Sequence, residues 1–87
     1  FETTAETQEA ALVAVKNYIA GFLSQQPGFI SATLHRSFDN LSIVNYAHWE
    51  SASDFKRFAE LAREHPDLPE LLQYKPTPCF YEIAGEF

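Results

Sequence analysis

The sequence predicts one α+β domain built on a four-stranded antiparallel sheet with its helices on one face. Two observations predict it. Helical spacing and strand alternation take turns along the chain in the order α, β, β, α, β, and a strand lost or shortened before Phe1 would complete βαββαβ, the ferredoxin-like split βαβ order. A length of 87 residues, with no low-complexity tract and no linker, suits a single domain over 1–87.

The elements follow in order. The stretch "FETTAETQEAALVAVKNYIAGFLSQQPGF" opens with a Thr3-x-x-Glu6 pattern that suits a capping box, after which Leu12, Val15, Ile19 and Phe22 recur at helical spacing. This helix is expected to end near Ser24, because Pro27 and Gly28 turn the chain. From Phe29 to Phe38, Ile30, Ala32 and Leu34 alternate with Ser31, Thr33 and His35, the period of a strand. Asp39 and Asn40 mark a turn, and Leu41 to Trp49 alternates again with apolar residues on both sides, which makes a β-hairpin. "SASDFKRFAELAREHP" restarts the helical period: Ser51 can cap with Asp54, Phe55, Phe58 and Ala62 form the buried stripe, and Pro66 closes it. One more helical turn is expected within Pro69 to Tyr74, then an extended connection through Pro76 and Pro78, and a last strand from Cys79 to Ile83.

Composition narrows the partners. Eight Phe, four Tyr and one Trp are more rings than a small monomer covers easily, and aromatic residues concentrate in interface cores, so a homodimer is expected. A hairpin apolar on both faces needs a cover on the second face, and a second copy of the sheet is the economical one. The formal net charge of -6 argues against nucleic acid and against an anionic membrane surface. No apolar run approaches the length of a membrane span, and no signal peptide is visible. A single cysteine, Cys79, allows no internal disulfide and fits a reducing cytoplasm.

The hairpin also holds the residues that carry chemistry. Asn45 and Trp49 share a face, being an even number of residues apart. A two-residue loop at Asp39 and Asn40 would pair Leu34 with Asn45; a three-residue loop would pair His35 with Asn45. The longer loop is the expected one, since it gathers Ser31, Thr33, His35, Asn45 and Trp49 into one cavity wall with polar handles. Each has a plainer reading: Trp49 as a core ring, Asn45 bonded to a neighbouring backbone, His35 facing solvent. His48 and His65 read as plainer still. His35, His48 and His65 show no close ligand spacing and Cys79 has no partner cysteine, so no dedicated metal site is expected. The chain holds three glycines and no phosphate loop, so no nucleotide cofactor is implied either.

The run "PGFISATLHRSFDNLSIVNYAHWESASDF" resembles the antibiotic biosynthesis monooxygenase (ABM) family. The resemblance rests on the helix ending in Pro-Gly-Phe, the strand pair, and Asn-x-x-x-Trp-x-Ser leading into a helix with an aromatic residue at Phe55. It implies a dimeric α+β barrel. It is nearest to the small oxygenases that convert anthrones or quinols to quinones with dioxygen and no cofactor. It also implies that His35, Asn45 and Trp49 line the pocket of an aromatic small molecule. A pocket tyrosine of those enzymes falls on Phe55, and a pocket arginine has only Arg63 in its neighbourhood. Haem-degrading relatives match poorly: their helical tryptophan falls on Phe58, and His65 alone fits.

The chemistry implied is proton loss followed by electron transfer to dioxygen. His35 would serve as base, and the Asn45 amide and Trp49 indole N–H would donate to the developing anion. Phe55, Ser31, Thr33 and Arg63 would contact the substrate. Two other classes are carried beside this one: a non-catalytic ligand-binding or dimerisation domain of the same fold, and a polyketide cyclase or isomerase.

Overall fold

The computed structural model describes residues 1–87. Helix α1 (Gln8–Gly21) runs into a 3₁₀ turn at Leu23–Gln25, followed by strand β1 (Phe29–Arg36) and strand β2 (Ile43–Trp49), then α2 (Ala52–Ala62) and the short α3 (Leu68–Leu72). The two strands form an antiparallel hairpin. Beside β2, Phe1–Thr3 forms a short antiparallel edge: Glu2 bridges Ser42, the Ile43 amide donates to the Phe1 carbonyl at 3.0 Å, and the Thr3 amide to the Leu41 carbonyl at 2.9 Å. On its other side the Glu2 amide donates to the Tyr74 carbonyl at 2.6 Å.

That edge moves the start of α1. Thr3 is buried in it, with its hydroxyl on the Asn40 carbonyl, so the expected Thr3/Glu6 capping box does not form. The reciprocal pair is instead Thr4 and Thr7, each backbone amide donating to the other's hydroxyl. Helix α2 starts as expected: Ser51 Oγ accepts the Asp54 amide at 3.2 Å, and its own hydroxyl donates to the Asp54 carboxylate at 2.8 Å.

The hairpin register departs from the expected one. Leu34 pairs with Asn45, and His35 pairs with Val44. The hydrophobic pattern decides this. A shift by one residue would turn Leu34 and Ala32 out to solvent and His35 in. In the observed register Leu34 packs with Ala11, Leu12, Ile43 and Tyr74. The turn agrees with it: Asn40 takes φ 65°, which asparagine tolerates, and the Asp39 carboxylate accepts the Leu41 amide at 2.9 Å. That hydrogen bond, with a second from Ser37, holds the Asp39 carboxyl below its ordinary range.

The expected final strand does not form within the chain. Residues 75–87 are irregular, and Phe80, Tyr81, Ile83 and Phe87 are exposed. Pro76 and Pro78 withhold two amide donors from any ladder, and Lys75 at φ 50° turns the chain as it leaves Tyr74.

The helices cover one face of the hairpin through two apolar groups. At the Ile43 end stand Ala11, Leu12, Ile43 and Tyr74. At the Trp49 end, Leu23, Phe58 and Ala62 gather Tyr18, Ile19, Phe22, Phe29, Trp49 and Phe55 around them.

Candidate functional site

Strand alternation sends Ile43, Asn45, Ala47 and Trp49 toward the helices, opposite Leu34, Ala32 and Phe29 of β1. The last of these needs a β-bulge. The register slips between Phe29 and Ser31, so Ile30 is the extra residue: Phe29 turns inward against Trp49 while Ile30 stands 59% exposed. The ring centroids of Phe29 and Trp49 lie 5.7 Å apart, edge to face.

Trp49 is the hub of an aromatic group. Phe55 stands 5.8 Å and Phe58 5.3 Å from it, and Phe80 leans on Phe55 at 5.0 Å. Such pairs contribute roughly 0.5–1.5 kcal/mol each beyond the area they bury. The plainer reading of Trp49 as a packed ring therefore holds, and it still leaves the indole half-buried.

Asn45 is different. Its Oδ1 is buried and has no hydrogen-bond partner. No neighbouring backbone satisfies that oxygen, so the structural bond weighed for Asn45 in the sequence is absent on this atom. Leaving a buried acceptor unpaired costs about 1–3 kcal/mol, which a folded chain tolerates where something else is to fill the position.

The structure thus divides the predicted site. Asn45, Trp49 and Phe55 lie on the helix side, Trp49 and Phe55 in contact and Asn45 farther back along β2, opposite Leu34. Ser31, Thr33 and His35 do not join them: they stand exposed on the outer face of the sheet with Val44 and Tyr46, beside the half-buried His48, a direct result of the register. Arg63 is exposed at the C-terminal end of α2 and makes no ion pair.

One imidazole on the helix side was passed over in the sequence. His65 lies between the rings of Tyr18 and Phe22, at centroid distances of 5.3 and 4.3 Å. Its Nδ1 accepts the Asp67 amide at 3.1 Å, so the neutral ring carries its proton on Nε2 and acts as a donor. The signal for it was the short His65-Pro66-Asp67 corner that leads from α2 into α3, which packs against α1. Burial, with the Asp67 carboxylate adding to it, holds the nearby Tyr18 hydroxyl above the ordinary tyrosine range.

Two surface clefts lie away from Asn45, Trp49 and Phe55. One, of about 470 Å³, runs between α1 and α3; the other, of about 540 Å³, borders the Phe1–Thr3 edge. No three His, Cys, Asp or Glu side chains cluster in a way that could hold a metal ion. No helix is long and apolar enough to cross a membrane.

Comparison with known proteins bears on this geometry. The family model for antibiotic biosynthesis monooxygenases matches residues 1–64. The chain belongs to that family. It is 36% identical over 66 residues to tetracenomycin-F1 monooxygenase of Streptomyces glaucescens, an alignment that spans 75% of this chain and 59% of the relative. Among solved structures it resembles the monooxygenase from the gene ActVA-Orf6 of Streptomyces coelicolor, crystallised in complex with nanaomycin D. That likeness has a TM-score of 0.61 at 27% identity and covers 98% of this chain and 87% of the other. The match to the family model includes the hairpin, Asn45, Trp49 and all of α2.

Proposed function

We propose that this domain is a cofactor-independent monooxygenase acting on a phenolic, anthrone or quinol-type aromatic small molecule. The unpaired Asn45 Oδ1, buried on the same face as the half-buried Trp49 indole, is the observation that supports it most. Both relatives reported above are named monooxygenases.

Electron bookkeeping shows why such a substrate needs no cofactor. A methylene between aromatic rings loses both hydrogens and gains one oxygen atom, becoming a ketone. The second oxygen atom leaves with those hydrogens as water. The substrate supplies every electron that dioxygen takes, provided it is first deprotonated to an electron-rich anion. The protein's task is then to hold that anion in a dry aromatic environment. The Trp49 indole N–H is the donor for its oxygen, Asn45 stands farther along β2 where its Oδ1 accepts from a substrate hydroxyl, and Phe29, Phe55 and Phe58 exclude water.

His35 is not the base in this reading, because the register puts it on the other face of the sheet. The substrate enters as its anion, and the rate follows the substrate's own ionisation. The outer face, where Ile30 is 59%, Val44 55% and Tyr46 41% exposed, is covered by a second copy of the sheet to give the dimeric barrel. Cys79–Ile83 is the segment available to complete a four-stranded sheet at its edge.

Oxygen uptake by metal-stripped protein, measured against a panel of anthrones and hydroquinones, tests the activity. Uptake should fall at least tenfold in an Asn45→Ala, Trp49→Phe double variant and should be unchanged in His35→Ala. Uptake no faster than that of the double variant across the panel, with saturable quenching of Trp49 fluorescence, would make the domain a binding module. Sedimentation as a monomer at micromolar concentration would remove the dimer.

A further inference from the structure

Charge is spread unevenly over this chain. Its twelve Asp and Glu and six Lys and Arg leave the outer face of the hairpin empty: from Ser31 to His35 of β1 and from Val44 to His48 of β2, every outward residue is apolar, hydroxyl-bearing or histidine. Two copies that each carry a net charge of -6 repel one another over most of their surfaces, and on this face they meet without opposed like charges. Its two imidazoles stand toward opposite ends. His35 lies opposite Val44 and His48 opposite Ser31, and a two-fold contact brings the partner's pair as well, so four imidazoles are covered at once. The titratable groups around them are few. Tyr46 has its ring 4.9 Å from that of His48, Glu50 lies just beyond β2, and Asp39 is in the hairpin turn. On the neighbouring edge are the Phe1 ammonium and Glu2, with Lys75 3.9 Å from the Glu2 carboxylate, and the Cys79–Ile83 segment carries Tyr81 and Glu82. No carboxylate forms an ion pair with His35 or His48.

We infer that His35 and His48 make the face-to-face dimer responsive to pH, closed while the four imidazoles are neutral and opened as they gain protons. The inference rests on the dimer of the proposed function and names what controls it. Histidine is the side chain whose charge ordinarily changes between about pH 5 and 8. An imidazole in water takes its proton freely, whereas one covered by apolar surface, with no carboxylate to pair it, takes a proton only at the cost of its hydration. Separate copies therefore bind more protons than the closed dimer. The dimer is favoured above the range in which histidine titrates and is lost as pH falls through it. Overall charge pulls the other way, because acidification brings the -6 of each copy closer to zero and by itself draws copies together. Loosening on acidification thus reports the groups inside the interface and not the protein's net charge.

Sedimentation of the whole chain over a nanomolar-to-micromolar series, at about pH 8 and about pH 5.5, reads the dimer Kd on either side of the histidine range. For wild type, Kd should rise at least about a hundredfold at the lower pH, with far-UV circular dichroism unchanged. In a His35→Gln, His48→Gln double variant, whose amides do not titrate, it should change less than about threefold. His65 stays in that variant and controls for the imidazole on the helix side. Each single variant should show an intermediate rise, and the two decide the matter if the double variant fails to fold. A wild-type dimer equally tight at both pH values overturns the inference and leaves the dimer standing. So does a double variant that loosens as much as wild type, or a loosening that comes with loss of the dichroism signal. A monomer throughout the series at both pH values removes the dimer itself, and the inference with it.

Discussion

The two faces of the hairpin look alike in the sequence and behave as opposites in the structure. Toward the helices, Ile43, Leu34, Phe29 and Trp49 are gathered into packed groups, and the one polar residue among them, Asn45, keeps a buried unpaired oxygen. Away from the helices, His35, Thr33, Ser31, Val44 and Tyr46 are all exposed. The difference teaches that polarity alone does not mark a site residue. Asn45 and His35 are both polar residues in an apolar hairpin, and only the register, chosen by where Leu34 must go, separates a candidate ligand contact from a surface imidazole.

The comparison can be broken most forcefully at Ile43. Ile43→Ala should cost about 2–5 kcal/mol in denaturant unfolding, while Val44→Ala one residue away should stay within about 0.5 kcal/mol under monomeric conditions. Equal effects would mean that the inner face is not the core.

Gly28 joins the hairpin to α2 and is the next largest. Its φ of 84° suits glycine, its carbonyl accepts the Glu50 amide at 2.8 Å, and a Cβ there would run into the Asp54 side chain. Gly28→Ala should therefore destabilise by more than about 1 kcal/mol in the same measurement. Ser51→Ala, which removes only the cap of α2, should cost about 1 kcal/mol and lower helical ellipticity.

The smallest effect is a pH dependence at the turn. The Asp39 carboxyl titrates below its ordinary value of 3.8 in the folded chain, so its contribution is present above that value and is lost as pH falls below it toward the folded value. An acid unfolding series should show Asp39→Asn less stable than wild type near neutral pH, with the gap closing below the ordinary carboxylate range. A gap that persists at the lowest pH would mean that the carboxylate is not what holds the turn.

Much of the fold was legible because its signals are local. The α1 period, the Pro27-Gly28 turn, the Asp39-Asn40 corner and the Ser51/Asp54 cap each lie within a few residues and appear where the sequence put them. The register was not legible, because it depends on whether Leu34 or His35 meets Ile43 and α1, a tertiary choice between two loop lengths the turn chemistry permits. The last strand failed for a related reason. Cys79–Ile83 has strand-like residues, but a strand exists only against a partner, and alternation cannot say whether the partner is present. Of the candidate site, Asn45, Trp49 and Phe55 were legible by strand spacing and the cap that follows. His65 was not, since its aromatic neighbours Tyr18 and Phe22 come from a helix distant in sequence.

The single extra residue at Ile30 gives the chain a tolerance that the rest of the hairpin lacks. Removing Ile30 would leave Phe29 directly before Ser31 and still opposite Trp49, so a one-residue gap there changes no inward-facing side chain. A deletion farther along β1 would be absorbed at the same place, with only the residues between the deletion and the bulge changing sides. Losing Thr33, for example, would leave Phe29 and Leu34 where they are and turn Ser31 inward in place of Ala32. Length variation in this strand therefore edits the middle of the inner face, where the alanines lie, and spares the packed ends that hold the fold.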